Sequence, residues 1–540
     1  MSEAASPHDR GAVGGRVHLP SALGWLRAFR RIPPEAALVG IGLIAVLAAF
    51  AAADPVTKVT DSVAPFTDEA FNVVNARNFV QLGIWSTDEW NLHLVNLPFS
   101  LLEALTFQLI GVGIVQARLA MILCVSLTAA ALVWGLRGAV GRVCATFAGL
   151  AFGASGLILF YGRLAFLEDL VVLGLTLGTL VLARQSRLTL RGGVLTGLCY
   201  AVAIGTKPSA LFSVVGILLA MGLVWGWRDR AMRRWIVGST AVIAIAGLIW
   251  AIAIWLPNQA AVAIDAKIWP VYQWNLAPGD LFNSITAYLT GKSDHIFGVL
   301  LLPLIALGAA GVVAIAALRK RLGQAEARLA VAAFGWAAAG FGILMVVSYR
   351  PNRYVVPLVP SLAILAAIGL HLFVGWVRER LAEREAAARE AGEATGEAAG
   401  EPTEAARAGR AARARRAAPN LVVAAAIVVA VAPGLAWYGN WARHATYDLV
   451  AIQDQFADAV PPGEVVAGGD SALFLMRSKA KTVVVGLANK GDLYAQGARW
   501  YLLSDKDPYP TDVPDSVWAA RERVMCASWR GGTVCLYHLQ

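Results

Sequence analysis

Apolar runs of roughly 18 to 25 residues, separated by short polar breaks, recur along most of this chain, each long enough to cross a bilayer about 30 Å thick. The first runs from Glu35 to Ala53. Later ones fall at 115–136, 142–162, 165–184, 192–206, 208–227, 235–256, 296–318, 328–348, 353–377 and 420–438. The pattern predicts an α-helical polytopic protein with about eleven transmembrane helices. It changes character after 438. In 439–540, Val465 to Asp470, Thr482 to Gly486 and Trp500 to Leu503 read as short strands and Tyr447 to Ala459 as a helix, which predicts a small α/β domain. The stretch 378–418, rich in Ala, Glu and Arg, reads as a charged helix or a solvated linker. Leu97 to Ile110, apolar all round except for Glu103, reads as a helix lying along the membrane interface.

Composition supports the membrane reading. The 540 residues are 58% hydrophobic and only 15% charged, against about 25% charged in a typical soluble chain. The first apolar run follows a mostly polar lead, 1–34, that is too long for a signal peptide, and no small-residue cleavage site follows it, so it reads as a retained anchor. The net charge of +10 requires no nucleic acid partner, because positive charge collects in the cytoplasmic loops of such proteins.

Charge also sets the expected topology. Arg10, Arg16, Arg27, Arg30 and Arg31 place 1–34 in the cytoplasm. Loops with Arg137/Arg142, Arg184/Arg187/Arg191, Arg228/Arg230/Arg233/Arg234 and Arg319/Lys320/Arg321 then fall inside too, as does the linker 378–418. One orientation satisfies every basic loop. The expected organisation is a cytoplasmic tail 1–34, a transmembrane domain 35–377 with outer loops 54–114 and 257–294, the linker, a last span 419–438 and an extracytoplasmic domain 439–540. High Ala, Gly and Arg content points to a bacterial plasma membrane. Cys124, Cys144 and Cys199 lie in apolar runs and read as small core residues, while Cys526 and Cys535 in the tail suit a disulfide in an oxidising compartment.

The outer face collects the candidate chemistry. Asp68-Glu69 follows the first span, and carboxylates beside a membrane are costly. They either cap an outer helix, with Thr67 or Asp68 as N-cap, or act chemically, one as general base while another acid holds a divalent cation. Glu168-Asp169 opens a span on the same side, where Arg163 is placed to pair with them. Lys207, between two short spans, either snorkels or holds a phosphate. Arg350 and Arg353, in Tyr349-Arg350-Pro351-Asn352-Arg353-Tyr354, suit bidentate phosphate recognition or lipid headgroups. His93 and His295 are the histidines nearest this face and candidates to join carboxylates around a cation.

Taken together, these segments resemble a family. Asp68-Glu69-Ala70 is similar to the Asp-Glu motif of class C glycosyltransferases that use lipid-phosphate sugars, such as protein O-mannosyltransferases and lipid A aminoarabinose transferases. Gln116-Ala117-Arg118-Leu119 resembles that family's Arg-Leu segment, Arg163 to Asp169 its second acidic motif, and Gly205-Thr206-Lys207-Pro208 its lysine turn. Arg353 to Pro360 resembles its Arg-Tyr…Pro…Pro helix start. The matches run in the family's order over 35–377. Relatives often carry a His-Pro-Pro-like or Lys-Pro-Pro-like motif where this chain has Asn91 to Pro98, and Ser293-Asp294-His295 only loosely resembles a metal-binding segment.

The resemblance implies inverting transfer from a polyprenyl-phosphate sugar to a protein, lipid or glycan acceptor. Asp68 would be the base, with Glu69 and Asp169 beside it. Lys207, Arg353, Arg350 and Tyr354 would bind the donor phosphate. Glu168, His93 and His295 would be ligands for a divalent cation, Mg2+ or Mn2+ before Zn2+. An oligosaccharide polymerase or ligase would use the same lipid-linked donors. A transporter would want charges at mid-membrane and internally repeated halves.

Overall fold

The computed structural model describes residues 32–55, 68–85, 96–185, 187–226, 229–259, 296–347, 352–395, 402–483, 492–504, 512–529 and 532–540, with isolated residues between them. His93, His295, Arg350 and Thr67 lie outside the described residues.

Helices dominate. α1 spans Pro34–Ala48, α2 Asp68–Leu82, α3 Leu97–Ile110 and α4 Ile114–Gly153. A short α5 (Gly156–Tyr161) leads to α6 (Leu167–Arg184), α7 (Leu190–Thr206), α8 (Ala210–Trp225) and α9 (Arg230–Trp250). Then come α10 (Ile296–Ala317), α11 (Gln324–Val346), α12 (Val359–Thr395), α13 (Pro402–Ala442) and α14 (Asp448–Phe456). Among the described residues, five helical stretches are long and apolar enough to cross a membrane, and five shorter ones are apolar.

α4 is two helices in sequence. Gly141 has φ of 75°, a conformation that L side chains avoid, and breaks the run. The second part folds back on the first: a Cβ at Gly149 would meet Val133, and one at Gly153 would come within 3.9 Å of Ala129. The two runs read from sequence at 115–136 and 142–162 are thus a helical hairpin. Glycines also let helices approach closely elsewhere. Gly216 of α8 and Gly335 of α11 face each other, and a Cβ on Gly216 would stand 2.3 Å from the Gly335 carbonyl oxygen.

The charged stretch read as a helix or linker continues α12 as far as Thr395, and α13 begins at Pro402. The interfacial reading of Leu97 to Ile110 corresponds to α3, in which Glu103 is fully buried.

The C-terminal domain carries a five-stranded sheet of β1 (Val465–Ala467), β2 (Lys481–Val483), β3 (Trp500–Ser504), β4 (Glu522–Trp529) and β5 (Gly532–His538), in the order β2-β1-β3-β5-β4. β1 pairs in parallel with β2 and β3, and β5 antiparallel with β3 and β4. β4 and β5 did not stand out in the sequence. β4 has mixed burial, with Glu522, Arg523 and Val524 exposed, so the alternation that marks a strand is weak. Cys526 and Cys535 are opposite one another in this hairpin and are joined by a disulfide.

This domain is fastened to α2. Arg77, fully buried, donates to the carbonyls of Leu475, Met476, Ser478 and Ala480. Asp54, also fully buried, accepts from the Thr446 hydroxyl and from the Asp448 and Leu449 amides at the start of α14. One apolar cluster then runs through α2, α3, the starts of α4 and α6, and the C-terminal domain.

Candidate active site

Four segments meet at the end of the bundle that carries the C-terminal domain. α2 and α6 present their first turns there, where the helix dipole favours carboxylates. Asp68 and Glu69 lie in the first turn of α2, and Glu168 and Asp169 in that of α6. Lys207 caps the end of α7, and its carbonyl accepts from the Ala210 amide that begins α8. A 3-10 turn, Asn352–Leu358, brings in Arg353 and Tyr354 just before α12.

The side chains converge. Arg353 Nη1 lies 2.5 Å from Asp68 Oδ2, and its Nε 3.8 Å from Glu168 Oε1. Lys207 Nζ lies 2.5 Å from the same Glu168 oxygen and 3.8 Å from the Tyr354 ring centroid. The Arg353 guanidinium also approaches the rings of Phe166 and Tyr354, at 5.5 and 5.6 Å. Asp68, Glu168, Lys207, Arg353 and Tyr354 therefore form one cluster, from residues up to 286 positions apart. Two aromatic walls shield its cations from water. Burial pushes the Lys207 ammonium below its ordinary value; Glu168 pulls it back up and Arg353 pushes it further down.

The two acids of each pair have different surroundings. The Asp68 side chain is 35% exposed and Glu168 only 2%, so Asp68 is the one a solvent-borne group can reach. Glu69 is fully buried and turned to another task. Its oxygens accept from Arg118 at 2.8 and 2.7 Å, and one also accepts from the Ala165 amide at 2.8 Å. Arg118 in turn donates to the carbonyls of Ala51 and Ala53. Asn72, one turn after Asp68, donates to the Ala165 carbonyl. These bonds fix the start of α2 against the turn that leads into α6.

Arg163 corrects the expectation from sequence. It does not pair with Glu168 or Asp169. It donates to the carbonyls of Ala53 and Asp54 and lies 4.0 Å from the Trp441 ring centroid, tying the end of α1 to α13. Asp169 is fully buried beside Glu168. As for a metal, Glu168 is engaged by Lys207 and Arg353, and among the described residues no three His, Cys, Asp or Glu side chains gather as ligands. His93 and His295 lie outside the described residues.

Sequence reasoning gave no role to Arg118, Arg77 or Asp54. A basic residue at the start of an apolar run, as Arg118 is, carries that signal; the other two have none.

The helical frame is that of a multi-pass membrane protein with the class C glycosyltransferase fold. The chain is similar to the crystal structures of ArnT from Cupriavidus metallidurans in the apo state, at 17% identity and a TM-score of 0.59, and bound to undecaprenyl phosphate, at 18% and 0.58. Each match covers 96% of this chain and 98% of the other. It is also similar to the cryo-EM structure of the arabinofuranosyltransferase AftD from Mycobacteria, at 15% identity and a TM-score of 0.50, over 93% of this chain and 40% of that one. No family model and no curated protein matches it by sequence.

Proposed function

We propose that this protein is an integral membrane glycosyltransferase that moves a sugar from a polyprenyl-phosphate donor to a hydroxyl-bearing protein, lipid or glycan acceptor by inverting displacement. The observation that carries the reading is the convergence of Lys207 and Arg353 beside a partly exposed Asp68. The similarity to ArnT, solved bound to undecaprenyl phosphate, supports it. In this reading the site lies on the outer face of a bacterial plasma membrane, with the N-terminus cytoplasmic and the C-terminal domain outside, an orientation that the positive-inside bias of the basic loops supports.

Asp68 takes the proton of the acceptor hydroxyl. The acceptor oxygen attacks the anomeric carbon of the sugar from the face opposite the phosphate. The bond from that carbon to the phosphate oxygen breaks, and its electron pair leaves with polyprenyl phosphate. Lys207 and Arg353 stabilise the charge that develops on the departing oxygen, and Arg350 belongs to the same phosphate-binding group in this reading. Fixed cations in a site with little water are effective because they need no reorganisation as the bond breaks. Before the donor arrives these cations are held by Asp68 and Glu168. Phosphate competes for them, and Arg353 exchanges Asp68 for phosphate, which frees the base.

The test is release of undecaprenyl phosphate by purified protein from a panel of undecaprenyl-phosphate pentoses and hexoses, with and without periplasmic extract as acceptor source. Acceptor-dependent release from one donor is expected; none from any donor would reject the reading. Lys207→Ala and Arg353→Ala are each expected to weaken undecaprenyl phosphate binding at least about tenfold, the scale of one charge-assisted contact. Unchanged affinity in both variants would remove the phosphate role.

A further inference from the structure

Behind the cation pairs lies a set of buried polar groups that the proposed chemistry does not use. Glu103 and Ser100, one helical turn apart on α3, are fully buried, and none of their side-chain oxygens has a hydrogen-bond partner among the described residues. The same holds for both Asp169 oxygens on α6, the Thr206 hydroxyl at the end of α7 and the Asn75 carboxamide on α2. They belong to one neighbourhood. α3 packs against α2, α4 and α7, with Pro98 against Gly205, where a Cβ would come 3.2 Å from the proline ring. Asn75 follows Asp68 and Asn72 along one stripe of α2, and Asn72 bonds the Ala165 carbonyl just before α6.

Buried polar groups without partners are costly, and each calls for an explanation such as strain, bound water, a ligand or a reaction. This set contains carboxyls, hydroxyls and a carboxamide but no cation, so it does not suit an anion, and an apolar lipid chain would leave it unsatisfied. Its place is telling. Asp169 directly follows Glu168, and Thr206 directly precedes Lys207, so the set includes a neighbour in sequence of each member of the Glu168–Lys207 ion pair. Burial also holds the Glu103 carboxyl well above the ordinary carboxylate range, and a neutral carboxyl both donates and accepts, as a sugar hydroxyl does.

Given the donor reading above, we propose that Ser100 and Glu103 of α3, with Asp169, Thr206 and Asn75, form the subsite that receives the hydroxylated sugar ring of the donor and sets which sugar is accepted. α3 is then the specificity element of the protein, separate from the cations that read the phosphate.

The experiment measures binding of undecaprenyl phosphate and of the undecaprenyl-phosphate pentose and hexose panel to full-length protein and to its Glu103→Leu and Ser100→Ala variants. Wild type should bind one sugar-bearing member at least tenfold more tightly than bare undecaprenyl phosphate. In both variants that gain should fall by at least tenfold for Glu103→Leu and severalfold for Ser100→Ala, while affinity for bare undecaprenyl phosphate stays within twofold. Melting temperature should hold or rise, because each change removes an unpartnered buried polar group. If Glu103→Leu does not fold, Ser100→Ala alone decides. Equal losses for sugar-bearing and bare lipid, no loss in either variant, or a wild type with no preference for any sugar each overturn the subsite while leaving the phosphate site standing. A wild type that does not bind undecaprenyl phosphate at all overturns the donor reading, and the subsite with it.

Discussion

Replacing Asp68 with asparagine is expected to lower turnover by about 10²- to 10⁴-fold, the usual contribution of a positioned general base. Asparagine keeps the shape of the side chain but cannot accept the acceptor's proton. The variant should fold, since Asp68 is partly exposed and its place in the first turn of α2 contributes no more than about 0.3–1 kcal/mol. A second effect runs in the opposite direction. Asp68 is the counter-charge of Arg353, at 2.5 Å, so removing it releases that guanidinium for the donor phosphate. The affinity of the variant for undecaprenyl phosphate should therefore hold or improve while turnover collapses. Paired measurements of turnover and donor affinity check this. Turnover equal to wild type ends the assignment of Asp68 as base, and parallel loss of both quantities points to damage rather than chemistry.

The largest effect on stability is expected from Arg118→Ala. Arg118 and Glu69 have no exposed side-chain surface and form two hydrogen bonds to one another. Taking away one partner of such a pair leaves a buried charge uncompensated, at about 3–5 kcal/mol. The alanine variant also leaves the Ala51 and Ala53 carbonyls without this donor, and Glu69, among the described residues, with only the Ala165 amide. Thermal inactivation in detergent, followed as a half-life because membrane proteins of this size seldom unfold reversibly, should be much faster than for wild type or Asp68→Asn. The Glu69→Ala/Arg118→Ala double variant should be less damaged than the sum of the single changes, because each removes the other's orphan. Additive losses would mean that the pair is not a unit.

Much of the helical frame was legible because spans of apolar residues announce themselves in any membrane protein. Lys207 and Arg353 were legible for a related reason: cations in turns that the topology puts outside run against the bias of the loops. The division of work within Asp68-Glu69 was not. The two are adjacent and chemically alike, and only the position of Arg118, 49 residues later, turns one inward and leaves the other at the cluster. Arg163 was misread for the same reason. Its nearest acids in sequence lie five and six positions on, yet its partners are carbonyls more than a hundred residues earlier. Long-range polar contacts leave no local pattern. Glu103 was visible as a lone charge in an apolar helix, but its lack of a partner could be seen only once its neighbours were in place.

The bonds made by Asp54 and Arg77 bear on how the molecule comes into being. Their partners in the C-terminal domain are synthesised between 392 and 403 residues after them. At about 5–20 residues per second, α2 waits on the order of 20–80 seconds on the ribosome's clock before its anchors exist. Until then nothing from the C-terminal domain clamps the helix that carries Asp68. A chain cut short before residue 446 keeps most of its spans but lacks both anchors. Without that segment the helix that carries Asp68 loses the Arg77 bonds to the carbonyls of Leu475, Met476, Ser478 and Ala480, and the chain just before it loses those of Asp54.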